Sequence, residues 1–151
     1  MEGVSARPVQ IAWIVRDIER TKRAFAAFLG VSEPDTVGSG EYAVTRTTYM
    51  GKPAPDADCR MAFFHMGDGL TLELIQPGGG ASVWKDHLDT RGEGLHHIGF
   101  AVKGTDGVIA SAEGLGMRLA QRGKYGDGGG EYAYLDATDT LKCFIETLES
   151  Y

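Results

Sequence analysis

Apolar residues recur at every second position through much of this chain, and only a few stretches carry the period of a helix. VQIAWIV (9–15) is rich in β-branched residues and reads as a strand. Asp17 is placed to cap a helix through IERTKRAFAAFL, which Gly30 closes. AVTRTTYM, CRMAFFHM and LTLELI follow as short strands, the last two joined by a turn at GDG (67–69). After PGGG, SVWKDHLDTR reads as a short connecting helix.

The pattern then restarts. LHHIGFAV is a strand, DGVIASAEGLG is helical with Gly116 near its end, and MRLAQRGK, EYAYLDA and LKCFIETL are three further strands. Each half is therefore strand, helix, strand, strand, strand. Setting VQIAWIV against HHIGFAV pairs Gln10 with His97, Trp13 with Phe100 and Val15 with Val102, and LG closes both helices at 29–30 and 115–116. A period of about 87 residues is too long for a solenoid repeat and fits a duplicated module. The fold class expected is α+β: two tandem βαβββ modules, at about 8–77 and 95–149, with a linker over about 78–94.

Composition narrows the class. The 151 residues make one domain, with no apolar run long enough to cross a membrane. MEGVSARP lacks the apolar centre of a secretory signal and reads as a loose tail. A net charge of −6 argues against a nucleic-acid partner. Cys59 and Cys143 have no metal-type spacing, so reduced thiols in the cytoplasm are the default.

Alternation gives the polar residues an address. Side chains along a strand point to opposite faces in turn. Ile98, Phe100 and Val102 form one face that packs under the helix, while His97, Gly99 and Ala101 form the other. In the first half, Ile11, Trp13 and Val15 face the helix, and Gln10, Ala12 and Ile14 face away. Each inner face thus has one ligand-capable residue followed by a very small one, which leaves a concave surface open. His96 falls with the helix-facing set, as a structural hydrogen-bonder at the strand's edge. Glu73 in LTLELI and Glu146 in KCFIETLE are carboxylates in mid-strand among apolar neighbours. Such groups are costly unless something cationic satisfies them. Gln10, Glu73, His97 and Glu146 therefore form a candidate ligand set of one imidazole and three oxygen donors. It suits a single divalent ion such as Zn²⁺, Ni²⁺, Co²⁺ or Mn²⁺.

Paired βαβββ modules with this ligand set resemble the vicinal oxygen chelate superfamily, which includes glyoxalase I, methylmalonyl-CoA epimerase, extradiol dioxygenases and bleomycin-type resistance proteins. The resemblance covers about residues 8–149 and implies a single domain over 1–151, a curved, cup-like mixed sheet and helices on the outside. Members carry ligands on the first and last strand of each module, the places held here by Gln10, Glu73, His97 and Glu146. That set is similar to eukaryotic-type glyoxalase I, whereas GLHHI with LELIQP upstream looks more like methylmalonyl-CoA epimerase. Two features depart from the epimerases: they usually place His where this chain has Gln10, and AVTRTTYM lacks their extra acidic residue.

The resemblance implies a metal-dependent epimerase or isomerase that removes a proton alpha to a metal-bound carbonyl, with Glu146 and Glu73 as base and returning acid. A glyoxalase I-type lactoylglutathione lyase is the alternative, and a drug-sequestering protein without catalysis is a further one. Extradiol oxygen chemistry generally uses two histidines and one carboxylate, and Gln10 stands where the second histidine would be. The substrate expected is a small molecule, a thioester or a hemithioacetal. Arg118, Arg122, Lys124, Arg46, Lys52 and Arg60 are candidate cations for its anionic part, and GDGGGEYAY is either a flap or a plain hairpin turn. The resemblance also implies a homodimer.

Overall fold

In the computed structural model, which describes all 151 residues, the strand expected at 9–15 is longer. β1 spans Val4–Ile14, and Val4 pairs with Val102, so most of the expected loose tail is sheet. The first module continues with α1 (Ile18–Leu29) and β2 (Val37–Gly38). Asp17 caps α1 by accepting from the Arg20 amide, and Gly30 ends it in the left-handed conformation that glycine adopts without penalty.

AVTRTTYM differs from the strand expected of it. It forms one helical turn, α2 (Tyr42–Thr45), then β3 (Thr48–Tyr49), and β4 (Lys52–Pro53) follows. Arg46 and Met50 both have positive φ, which interrupts the extended run that the β-branched residues favour. Thr47 is buried instead in side-chain hydrogen bonds to Thr45 (3.1 Å) and Tyr132 (3.3 Å). The chain then returns through β5 (Cys59–His65) and β6 (Thr71–Pro77), joined by the expected turn at Gly67–Gly69. α3 (Val83–Arg91) links to the second module. That module comprises β7 (Gly94–Val102), α4 (Thr105–Gly114), β8 (Arg118–Lys124), β9 (Gly130–Asp136) and β10 (Phe144–Ser150).

All ten strands join one mixed sheet in the order β2-β5-β6-β1-β7-β10-β9-β8-β3-β4, curled into a half-barrel. The modules meet along the antiparallel β1–β7 pair, and within each module the first strand lies parallel to the last, β1 to β6 and β7 to β10. The four candidate ligands are therefore carried by four adjacent strands. β3 crosses over to pair with β8, so a piece of the first module completes the edge of the second.

Two helices cover the outer face as expected. Trp13, Val15 and Leu74 pack with Ile18 and Ala26 of α1, and Ala133 and Leu135 pack with Ile109 and Ala112 of α4. Glu149 of β10 ties α4 to the sheet by accepting from the Gly104 and Thr105 amides at its start. α3 lies differently: its Val83 and Trp84 join Ala12, Ile14, Ile75 and Tyr134 in the inner-face core. The linker helix thus fills one part of the concave surface and leaves the remainder as a cavity. No helix is long and apolar enough to cross a membrane.

Candidate metal centre

Strand alternation brings Glu73 from β6, His97 from β7 and Glu146 from β10 to one point on the concave face. One ligand-capable atom from each lies within 4.8 Å of the others. His97 Nε2 is 3.0 Å from Glu146 Oε2 and 3.4 Å from Glu73 Oε2. His97 is fully buried and both carboxylates are only 4% exposed. These three atoms are near enough to attract one another, yet none makes a directed hydrogen bond. Buried polar atoms are seldom left this way unless an ion or water belongs between them.

Gln10, the fourth residue of the expected set, lies on β1 and is also buried. It lies opposite Gly99 in the β1–β7 ladder. A β-carbon added to Gly99 would stand 3.3 Å from both Gln10 Oε1 and Glu146 Oε2, so those two oxygens flank the same point. It would also stand 2.9 Å from Gln10 Cβ, closer than two such carbons approach. Gly99 is what lets the two module-joining strands meet behind the ligands. Gly99→Ala is therefore expected to force β1 from β7, costing about 1–3 kcal/mol of stability, and to weaken divalent-ion binding about tenfold. Chelator competition and thermal melting would check this, and unchanged affinity would separate Gln10 from the site.

The electrostatics agree with a cation here. Burial alone lowers the pKa of His97, but the Glu146 charge and the adjacent Glu73 outweigh it and raise it to about 9. Burial raises Glu73, aided by the Glu146 charge and opposed by His97. In the metal-free protein a protonated His97 thus faces both carboxyl groups. A divalent ion can take the place of that proton, with His97 as a neutral ligand.

His96 departs from the orientation expected of it. In the β1–β7 ladder Ala12 faces His97 while Trp13 faces Leu95, so His96 is an extra residue in a β-bulge. The bulge breaks the alternation and turns His96 to the inner side, where it contacts Phe144, Tyr134 and His87 of α3.

Beside the ligands lies a cavity of about 610 Å³. Glu73, Glu146 and Gln10 open onto it, and Met61, Phe63, Trp84, Tyr132, Tyr134 and Leu148 form its largely apolar wall. Trp84 Nε1 donates to the Tyr134 hydroxyl at 3.1 Å, which fixes both rings against the site. Of the GDGGGEYAY segment, Gly126–Gly129 make the hairpin turn between β8 and β9 and the rest is β9; Lys124–Asp127 border the cavity. The structure separates the six candidate cations. Arg118, Arg122 and Arg60 are engaged by Asp136, by Asp106 and Glu131, and by Glu19. Arg46 lies over the Tyr42 ring and Lys52 borders a different hollow, whereas Lys124 lines the cavity itself. In the sequence the helix that carries Trp84 reads only as a connector, which hides its place in the wall. Its signal was the spacing of Val83, Trp84 and Leu88, which share one helical face.

A profile of the Glyoxalase/Bleomycin resistance protein/Dioxygenase superfamily matches residues 9–134. No curated protein matches the sequence. Among solved structures, methylmalonyl-CoA epimerase from Mycobacterium tuberculosis is similar at a TM-score of 0.66 and 18% identity, covering 99% of this chain and 88% of the other. A hypothetical protein from Bacillus halodurans C-125 is similar at 0.67 and 19% identity, covering 96% and 94%. Streptomyces coelicolor methylmalonyl-CoA epimerase, in complex with 2-nitronate-propionyl-CoA, is similar at 0.61 and 19% identity, covering 95% and 96%. At such identities the likeness establishes the shared fold.

Proposed function

The chain belongs to the glyoxalase/bleomycin resistance protein/dioxygenase superfamily, and from that premise we propose that it is a metal-dependent isomerase of the methylmalonyl-CoA epimerase kind. One observation carries this reading: Glu73 Oε2, His97 Nε2 and Glu146 Oε2 are buried together without hydrogen-bond partners. They fit a divalent cation, with Gln10 as the fourth donor. An ion held there supplies a Lewis acid that polarises a carbonyl oxygen and stabilises charge developing beside it.

The chain's own residues do the rest. Glu146, on β10, takes the proton from the carbon next to the carbonyl. Glu73, on β6, reaches the same point from the other module and is placed to return a proton. Return to the opposite face of the same carbon inverts that centre; return to the neighbouring carbon gives the isomerisation of a hemithioacetal. The aromatic wall shields the acyl group from water, and Lys124 offers a charge for an anionic part of the substrate. A thioester is favoured because a structurally similar epimerase is known with an acyl-CoA analogue bound. The lactoylglutathione lyase reading is kept because Gln10 gives the ligand set of the glyoxalase I type.

Solvent exchange tests this. Metal-loaded protein incubated with methylmalonyl-CoA in deuterium oxide is expected to place deuterium at the carbon between the carbonyls, and chelator-stripped protein is not. Turnover of methylglyoxal with glutathione, without that exchange, would replace the epimerase by the lyase. Neither reaction from loaded protein would overturn catalysis as the function.

A further inference from the structure

We infer that His96 is the positioning residue of the centre: its Nδ1 accepts a hydrogen bond from His97 Nδ1–H and so fixes which nitrogen of His97 faces the carboxylates. The inference rests on the proposed metal reading and adds a residue to it.

The two Nδ1 atoms are 2.9 Å apart, and both imidazoles are buried. Two ring nitrogens at that distance must share one proton, with one ring as donor and the other as acceptor. His97 Nε2 lies between Glu73 and Glu146, so the proton of neutral His97 has to reside on Nδ1 if Nε2 is to bind an ion. A ligating histidine whose second nitrogen is tied to an acceptor keeps its tautomer and ring plane. In most such sites the acceptor is a carboxylate or a carbonyl; here it is the neighbouring residue in sequence.

Two further observations point the same way. Adjacent residues on a regular strand face opposite sides, so the pair can meet only because His96 occupies the bulge between Leu95 and His97. Its ring is also held on three sides. Phe144 stacks on it at 5.0 Å and 21°, while Tyr134 and His87 meet it edgewise at 5.5 and 5.1 Å. The far nitrogen, His96 Nε2, is buried with no hydrogen-bond partner. A phenyl ring would fill the same space without burying that unsatisfied group, so the imidazole earns its place through Nδ1.

A direct test needs no substitution. In wild-type protein labelled with ¹⁵N-histidine, nitrogen–nitrogen coupling across the hydrogen bond should link the two Nδ1 atoms. The proton should split with His97 Nδ1 in both metal-free and zinc-loaded samples. Absence of coupling, or a proton carried by His96 Nδ1, overturns the inference, and the metal-free sample decides it whether or not zinc binds. Substitution then measures the consequence. His96→Leu is expected to lower Co²⁺ affinity about tenfold to a hundredfold and to alter the visible cobalt spectrum. His96→Asn, whose Oδ1 can replace the acceptor, should restore both. Wild-type affinity and spectrum in a folded His96→Leu would sink the positioning role. Failure of wild-type protein to take up cobalt, with the coupling present, would sink the metal reading alone.

Discussion

His97→Ala is expected to abolish divalent-metal binding: about one ion per chain in reloaded wild-type protein and none in the variant, by elemental analysis after dialysis. The expectation follows from the donor set. His97 supplies the only nitrogen, at 3.0 and 3.4 Å from the two carboxylate oxygens, and sits at the centre of the cluster. Without it, Glu73 and Glu146 face each other in a buried site with no cation between them, and Gln10 adds no charge. Two such carboxylates cannot both stay ionised, so one takes up a proton and ceases to be a ligand.

The loss also has a cost in folding. Breaking a buried ion cluster by removing one partner typically destabilises by about 3–5 kcal/mol, so circular dichroism must accompany the metal analysis. Proton linkage supplies a second readout. His97 is raised to about 9 in the metal-free protein, so at neutral pH it carries a proton that an incoming ion must displace. Wild-type affinity should therefore fall as pH decreases below that value, with proton release on loading. A folded His97→Ala that holds the ion as tightly as wild type would move the site elsewhere.

How far the sequence foretold this centre depends on which interactions carry each part. Period-two alternation is set by the backbone pleat, so it placed Gln10 on β1, Glu73 on β6, His97 on β7 and Glu146 on β10, all on one face. Helix ends are equally local: Asp17 and Gly30 bound α1 through contacts within four residues. The failures are all long-range. Val4–Pro8 become strand because β7 offers them an open edge, which no local propensity reveals. AVTRTTYM is β-rich in composition, yet positive φ at Arg46 and Met50 confines its strand to Thr48–Tyr49, which pairs with β8. His96 faces the inner side and not the helix side because a one-residue bulge reverses the parity of the strand. The cavity wall was the least legible part, since Trp84, Tyr132 and Tyr134 converge from α3 and β9 through tertiary packing alone.

Glu146→Gln should lower deuterium exchange by about three orders of magnitude for the methylmalonyl-CoA epimer whose proton Glu146 takes, within the range for loss of a general base. The amide keeps the shape of the side chain and one oxygen that can still serve as a donor, the role proposed for Gln10, so metal content should stay near the wild-type level. What it loses is the ability to accept a proton. Glu73→Gln gives the contrasting result that assigns the two roles. With Glu146 intact, the proton of one epimer still leaves and returns to the face it came from, so exchange persists for that epimer while inversion stops. The two carboxylates approach the point beside His97 Nε2 from different modules, β6 and β10, and that separation makes opposite-face roles possible. Full exchange by metal-replete Glu146→Gln would remove it from the base role. Inversion at the wild-type rate by Glu73→Gln would leave a single base working on both faces, and the duplicated carboxylates would then serve only to hold the ion.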